Sequence, residues 1–277
     1  MINWNSVNSG GGDAGTSTSY LMRDTLGDQA TGFSTSTNYQ LSAGYRSEDG
    51  GLSSLSFSLG TQENGTLVSY SFFSPSSSQV ISSFASSFSV DDLLAVVEDI
   101  GTSQLVSVGK IQSITGNVIT VDRWDGATST MLSVPSGGDD ALYRLGGSSA
   151  SLGILSASAV RTAVTATQVT SNAQNGYTLS VIEDGHLRVS TSTYILPVSD
   201  GAVSVGSEEY GWRAFGQRAV STTQDYAFPT SAVAIQSSSG LAEEAERIAV
   251  VYKAGISPST PSGNYAHVVY YTLTANF

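Results

Sequence analysis

The sequence predicts an all-β protein, an Ig-like or jelly-roll-type antiparallel sandwich carrying an inserted small β-barrel. Within residues 171–185, a turn signal at 175–176 (Asn-Gly) leads into a strand whose apolar side chains at 177–181 alternate onto one face. Residues 269–277 alternate in the same way, so we expect them to be the partner strand. Only residues 241–247 have the character of a helix, of one or two turns at most. Strands therefore dominate the predicted fold.

The distribution of strand signals divides the chain into three parts. Residues 1–50 contain two similar short strand segments, which we interpret as N-terminal strands able to complete a sheet. Residues 51–60 and 150–277 form the host sandwich. Between them, residues 61–149 carry short β-branched runs separated by glycines, a pattern typical of a small antiparallel barrel of about five strands. We therefore predict a barrel inserted into a sandwich.

Composition and charge narrow the classes of partner. The chain of 277 residues has 11 basic and 23 acidic residues and a formal net charge of -12, which disfavours binding to nucleic acid or anionic membranes. Only 12% of residues are charged, a composition that suits an extracellular β-protein. The absence of cysteine excludes a disulfide scaffold but not secretion, and a cytosolic protein without cysteine is the alternative. No apolar run is long enough to span a membrane. The N-terminus lacks signal-peptide features, so, if the protein is exported, we expect Met1 to mark where a signal was removed or replaced.

Catalytic and metal-binding patterns are sparse. His186 and His267 are the only histidines and have no second ligand at metal spacing, so we expect both to be solvent-facing strand residues. The adjacent carboxylates at 91–92, 139–140 and 243–244 could bind calcium or act as acid and base. On a strand they would point to opposite faces, so a solvated turn is the preferred interpretation. We predict neither a cofactor nor a metal, and no enzymatic activity. A Lys253–Asn276 crosslink between neighbouring strands is a minor hypothesis, since no buried carboxylate to assist it is identifiable.

Three aromatic residues could form a ligand-stacking surface. Trp124 lies between two aspartates, while Tyr210 and Trp212 lie in a cluster of aromatic residues and glycines. Rings of this kind can stack on sugars, but a strand-end aromatic that covers a core has the same sequence pattern. For Trp124 we favour the core interpretation.

Several segments carry a resemblance to known proteins. NWNSVNSGGG at the N-terminus, NAQNGYTLSV, EYGWRAFG and the ending YKAGISPSTPSGNYAHVVYYTLTANF together resemble a group of uncharacterised secreted β-rich surface proteins of environmental bacteria. The NGYTL strand combined with a Tyr-rich final strand is also distantly similar to WxL domains, which attach proteins to Gram-positive cell walls. Tyr177 stands where WxL proteins have Trp. The resemblance implies an exported surface protein.

Our functional hypothesis is a non-enzymatic structural protein that assembles with copies of itself into a pilus-like filament or a surface layer. Tyr39, Leu41, Ala43 and Tyr45 alternate onto one face that has no adequate cover within the first fifty residues. That face could complete a sheet of the same chain or of a neighbouring copy by β-strand complementation. The alternative hypothesis is a module that binds cell wall or polysaccharide through Trp124, Tyr210 and Trp212.

Overall fold

The computed structural model describes four short strand segments in residues 1–53 and then residues 54–276, Ser221 excepted. The chain divides into two compact units, Met1–Ser54 and Leu55–Phe277. In the first unit, β1 (Thr16–Ser17) pairs with β2 (Tyr20–Leu21), and β3 (Gly32–Thr35) pairs with β4 (Gln40–Ala43), both antiparallel.

The second unit consists of antiparallel strands joined by loops and two 3₁₀ turns, Asn64–Thr66 and Ala85–Ser87. Its strands are β5 (Leu55–Gln62), β6 (Phe72–Ser74), β7 (Gln79–Ile81), β8 (Leu93–Glu98), β9 (Leu105–Thr115), β10 (Val118–Val121), β11 (Asp125–Gly126), β12 (Ala141–Gly147), β13 (Arg161–Ser171), β14 (Tyr177–Glu183), β15 (Arg188–Ser190), β16 (Thr193–Tyr194), β17 (Glu209–Phe215), β18 (Val233–Ser238), β19 (Ala242–Gly255) and β20 (Val269–Ala275). The all-β prediction is confirmed.

Two sheets carry most of this unit. The larger has eleven strands, in the order β17-β19-β13-β5-β12-β8-β9-β10-β7-β6, with β11 pairing beside β9. The smaller has the order β18-β14-β20, and β15 pairs with β16 separately. The pairing of β14 with the C-terminal strand is as the sequence predicts, from Tyr177 opposite Ala275 to Glu183 opposite Val269.

The long strand β19 is covered by apolar side chains on both of its faces. Ile248, Val250 and Tyr252 share a core with residues of the small sheet such as Leu179, so the two sheets pack face to face. The alternate residues, for example Val251, belong to a second core formed largely by residues 61–149. The sequence of a strand that is buried on both faces is a nearly continuous apolar run and does not alternate between apolar and polar residues.

The inserted barrel is not confirmed. Strands β6–β12 extend the larger sheet outward from β5, and the described strands follow an open path rather than a closed one. Val68 and Leu142 do form a bridge of two backbone hydrogen bonds, of 3.1 and 2.7 Å, between the segment before β6 and strand β12. A single bridge does not make a closed strand ladder.

The predicted helical turn at residues 241–247 is wrong, because β19 begins at Ala242 and pairs with β13. The Ala-Glu-Glu-Ala-Glu run favours a helix locally, yet a ladder along two strands outweighs propensities of a few tenths of a kcal/mol per residue. The Lys253–Asn276 hypothesis also loses its basis, since β19 pairs with β13 and β17 and not with β20.

Candidate functional site

An open side of the sandwich, between β5 and β20, is the candidate functional site. Strand β20 is the last strand of the small sheet and pairs only with β14 among the described residues. Strand β5 pairs with β13 along Leu55–Thr61, but meets β12 only at Thr61 and Gln62. Residues 55–60 therefore have one edge without a strand partner in the described part of the chain. Unpaired backbone edges are sites where a further strand can add.

The side chains along this open side form an apolar row that is only half covered. Leu55, Phe57 and Leu59 remain 40%, 37% and 38% exposed. The Phe57 ring stacks on Tyr271 of β20, with centroids 6.4 Å apart, so the two edges belong to one groove. By contrast, Leu179 in the middle of the small sheet is fully buried. We call the surface between residues 55–60 and β20 the open groove.

One end of the open groove widens into a cavity of about 900 Å³. Leu59 and Thr61 of β5 line it together with Val269 and Tyr271 of β20. The Tyr271 hydroxyl lies 3.4 Å from Thr165 Oγ1 and is hydrogen-bonded to the hydroxyl of Tyr252. The wall therefore offers apolar surface with a few hydroxyl groups, which suits an amphipathic side chain such as tyrosine.

A polar cluster closes the same end of the groove. The Tyr210 hydroxyl lies 2.8 Å from Nε2 of His267, whose Nδ1 is 3.1 Å from the carbonyl oxygen of Gly185. Since a carbonyl can only accept, Nδ1 carries a proton and donates to Gly185. Glu183, which is buried, lies 3.3 Å from Nδ1 of His267 and 3.0 Å from Nδ1 of His186.

This cluster holds the loop before β20 against the small sheet. Burial raises the pKa of the Tyr210 hydroxyl well above its usual value, so the phenol stays protonated and donates its hydrogen bond. A phenol in that state is a poor nucleophile. The ring also stacks on Phe228, with centroids 5.1 Å apart. The Tyr210–His267–Glu183 arrangement therefore fits a structural role.

The three aromatic residues predicted as a stacking surface do not form one. Trp124, Tyr210 and Trp212 are all buried, Trp124 in one core and the other two in another. Trp124 packs edge-on against Phe73 at 5.1 Å, and Trp212 donates from Nε1 to the carbonyl oxygen of Ala227 at 3.2 Å. A stacking platform needs an exposed ring face, so the core interpretation applies to all three.

The predicted strand face in residues 1–50 is described only in part. Leu41 and Ala43 lie on β4, which confirms a strand at these positions. Tyr39 and Tyr45 lie outside the described residues. The face itself stays a prediction.

The histidine expectation needs correction, whereas the turn expected at residues 139–140 agrees with the structure. His186 and His267 are not solvent-facing strand residues, because they lie in loops and both contact Glu183. Asp139 and Asp140 do lie in a loop, where their carboxylates approach that of Asp99 to within 4.8 Å. Asp140 accepts hydrogen bonds from the backbone N–H groups of Asp99 and Ser136, which makes it a loop-stabilising residue.

Sequence reasoning missed the open groove, although the alternation of Leu55, Phe57 and Leu59 was visible. Alternation indicates that a strand has an apolar face, but not which neighbouring strand covers it. Comparison with family models, with curated proteins and with solved structures gives no match for this chain. In the part of the chain that the structure describes, no helix has the length and apolar character needed to cross a membrane.

Proposed function

We propose that this protein is a non-enzymatic extracellular structural subunit that assembles with copies of itself by β-strand complementation. The assembly would be a surface filament or a surface layer. The observation that supports this proposal is the open groove, where two strand edges without a partner among the described residues flank an apolar row left half exposed. A strand added there would gain main-chain hydrogen bonds and cover the row.

Burial of the row gives the driving force for assembly. Covering a large apolar side chain contributes on the order of 2 kcal/mol, and Leu55, Phe57 and Leu59 are each already more than half buried. Three such residues would together contribute about 2–3 kcal/mol, in addition to the hydrogen bonds along the strand. Pairing in this way removes a free edge from each subunit and leaves edges only at the ends of the polymer.

The alternative function, binding of cell wall or polysaccharide, has no exposed aromatic platform at Trp124, Tyr210 and Trp212 to support it. A direct experiment distinguishes the two functions. A structural subunit forms polymers in negative-stain micrographs and a concentration-dependent high-mass species in analytical ultracentrifugation. A binding module stays monomeric and sediments with wall material.

The experiment uses the full-length chain and two matched substitutions on β5. Phe57→Asp places a charge on the apolar row and is expected to abolish polymers, whereas Ser58→Asp on the opposite strand face is expected to keep them. Polymers formed equally well by Phe57→Asp, or a wild-type chain that stays monomeric at every concentration, would contradict the proposal.

A further inference from the structure

We infer that the loops at one end of β8 and β12 form a calcium-binding site, whose protein ligands are the carboxylates of Asp99, Asp139 and Asp140. The inference departs from the sequence-based expectation that the chain binds no metal. It is independent of the proposed function, because these residues belong to the block 61–149 and not to the open groove.

The three carboxylates come from two loops that the larger sheet brings together. The end of β8 pairs with the start of β12. Asp99 directly follows β8, and Asp139 and Asp140 directly precede β12. The backbone N–H of Ile100 donates to the carbonyl oxygen of Asp139 at 3.0 Å, so hydrogen bonding also holds the two loops together.

The distances between the carboxylates fit a single ion. One carboxylate oxygen from each of the three residues lies within 4.8 Å of the other two. Calcium–oxygen distances of about 2.3–2.6 Å allow two ligands of one ion to be at most about 5 Å apart, so the three oxygens can reach a common ion. Asp139 is exposed, and Asp99 and Asp140 are partly exposed, so an ion can enter from solvent.

Backbone hydrogen bonds hold Asp140 in place without using up its capacity as a ligand. Its Oδ1 accepts from the N–H of Asp99 at 2.9 Å, and its Oδ2 accepts from the N–H of Ser136 at 2.7 Å. Each carboxylate oxygen has two lone pairs, so both oxygens can still bind a cation.

The negative charge of this cluster has no protein counter-charge in the described part of the chain. Every ion pair formed by the described residues uses carboxylates other than those of Asp99, Asp139 and Asp140. The neighbouring Glu98 is buried and is also outside these ion pairs. Carboxylates this close repel one another, and a divalent cation between them offsets the repulsion.

A buried hydroxyl group is a second, independent observation that points to a ligand. Tyr70 is only 5% exposed, and its hydroxyl has no hydrogen-bond partner among the described residues. Val68 forms an antiparallel bridge with Leu142 of β12, so the chain after Val68 runs toward Asp140. Burial raises the pKa of the Tyr70 hydroxyl, and the charges of Asp140 and Asp99 raise it further, so the hydroxyl faces the acidic cluster.

A bound ion accounts for this hydroxyl. A buried hydroxyl without a partner is costly, and a water molecule on the ion can donate to the phenol oxygen. Carboxylate and water oxygens are ligands of hard cations such as calcium and magnesium. Calcium takes about six to eight oxygens in a flexible geometry, whereas magnesium requires a near-ideal octahedron, so three carboxylates on two loops favour calcium.

Calcium titration of the full-length chain tests the site. After removal of metals with a chelator, we expect calorimetry to give a Kd of about 10⁻⁴–10⁻³ M for calcium. The Tm should rise in calcium and rise less in magnesium at the same ionic strength. Absence of binding up to about 10 mM calcium, which is about tenfold above that range, would overturn the inference, as would equal stabilisation by the two ions.

Matched substitutions of aspartate by asparagine separate a built site from general acidity. Asp99→Asn and Asp139→Asn are each expected to weaken calcium binding at least about tenfold, because affinity depends on the number of charged ligands. Asp99 has a φ of +54°, which asparagine also tolerates. Asp200 is a loop residue elsewhere that accepts from the N–H of Ala202 at 3.1 Å, so Asp200→Asn should leave the Kd unchanged. Equal losses in all three variants would contradict the site.

Tyr70→Phe tests the role of the buried hydroxyl. Because the hydroxyl has no partner among the described residues, its removal should not lower the Tm of the calcium-free protein. The affinity for calcium should fall at least about threefold, since the hydrogen bond to the bound water is lost. A lower calcium-free Tm together with an unchanged affinity would contradict the inference, because the hydroxyl would then belong to the core and not to the site.

Discussion

A buried ion pair between Lys253 and Asp225 gives the most demanding test of the described structure. Lys253 Nζ lies 2.9 Å from Asp225 Oδ1, and the two side chains are only 1% and 4% exposed. Nζ also donates to the carbonyl oxygen of Thr102 at 2.6 Å, and Asp225 Oδ2 accepts from the N–H of Val203 at 2.9 Å. Burial lowers the pKa of the Lys253 ammonium, and the hydrogen bond and charge of Asp225 oppose that effect.

The substitution Lys253→Met removes the cation and leaves a buried carboxylate without its counter-charge. We expect a loss of about 3–5 kcal/mol in the free energy of unfolding, the usual range for breaking one partner of a buried pair. The double variant Lys253→Met/Asp225→Leu removes both charges, so its loss should be well below the sum of the two single losses. Urea unfolding monitored by tryptophan fluorescence gives the free energy of unfolding of Lys253→Met, of Asp225→Leu and of the double variant.

The control is an exposed pair of the same two residue types. Lys110 Nζ and Asp91 Oδ1 are 2.7 Å apart, but their side chains are 42% and 78% exposed. Lys110→Met should therefore cost less than about 1 kcal/mol, since solvent screens exposed pairs. If Lys253→Met destabilised the protein no more than Lys110→Met, the burial of Lys253 would be refuted.

Three other expectations follow from single positions. Gly176→Ala should cost more than about 2 kcal/mol in thermal or urea unfolding, because φ is +79° and an added Cβ would lie 2.0 Å from the carbonyl oxygen of Ser238. Arg247→Met should cost about 3–5 kcal/mol in the same assay, because this buried guanidinium pairs with Asp122 and lies 3.5 Å from Asp125; a loss below about 1 kcal/mol would contradict the pairing. Burial raises the pKa of the Tyr143 hydroxyl to about 12. The contribution of this protonated phenol to the free energy of unfolding is therefore fully present below pH 10, and about 3 kcal/mol of it should be lost as the pH rises from 10 to 12. Tyrosinate absorbance should then rise together with unfolding.

Local periodicity predicted the parts of the fold in which one strand face is buried. The alternation at residues 177–181 matches the buried positions of β14, and the turn at Gly176 has the positive φ that the Asn-Gly signal indicates. The same reasoning failed for residues 241–247, where pairing with β13 determines the conformation. Local sequence carries no information about a strand that is adjacent only in space.

The candidate site depends even more on contacts between distant residues. The sequence around Lys253 does not indicate that its side chain is buried, because the burial depends on contacts with Asp225 and Thr102, which are distant in sequence. Trp124 and Trp212 had the residue types of a binding surface, yet each fills a core. The open groove arises because two edges from distant parts of the chain, β5 and β20, face each other and no strand of the described residues lies between them.

Strand β12 determines where the free edge of β5 begins. It approaches β5 closely at Gly60, where an added Cβ would lie 2.5 Å from the carbonyl oxygen of Leu145. Its ladder with β5 is irregular and is limited to Thr61 and Gln62, so β12 does not pair with the rest of β5. The core of residues 61–149 also includes Val251 of β19, which ties this block to the host sheet. Residues 61–149 thus contact one end of β5, whereas no described strand pairs with that edge of residues 55–60, where the proposed strand addition would take place.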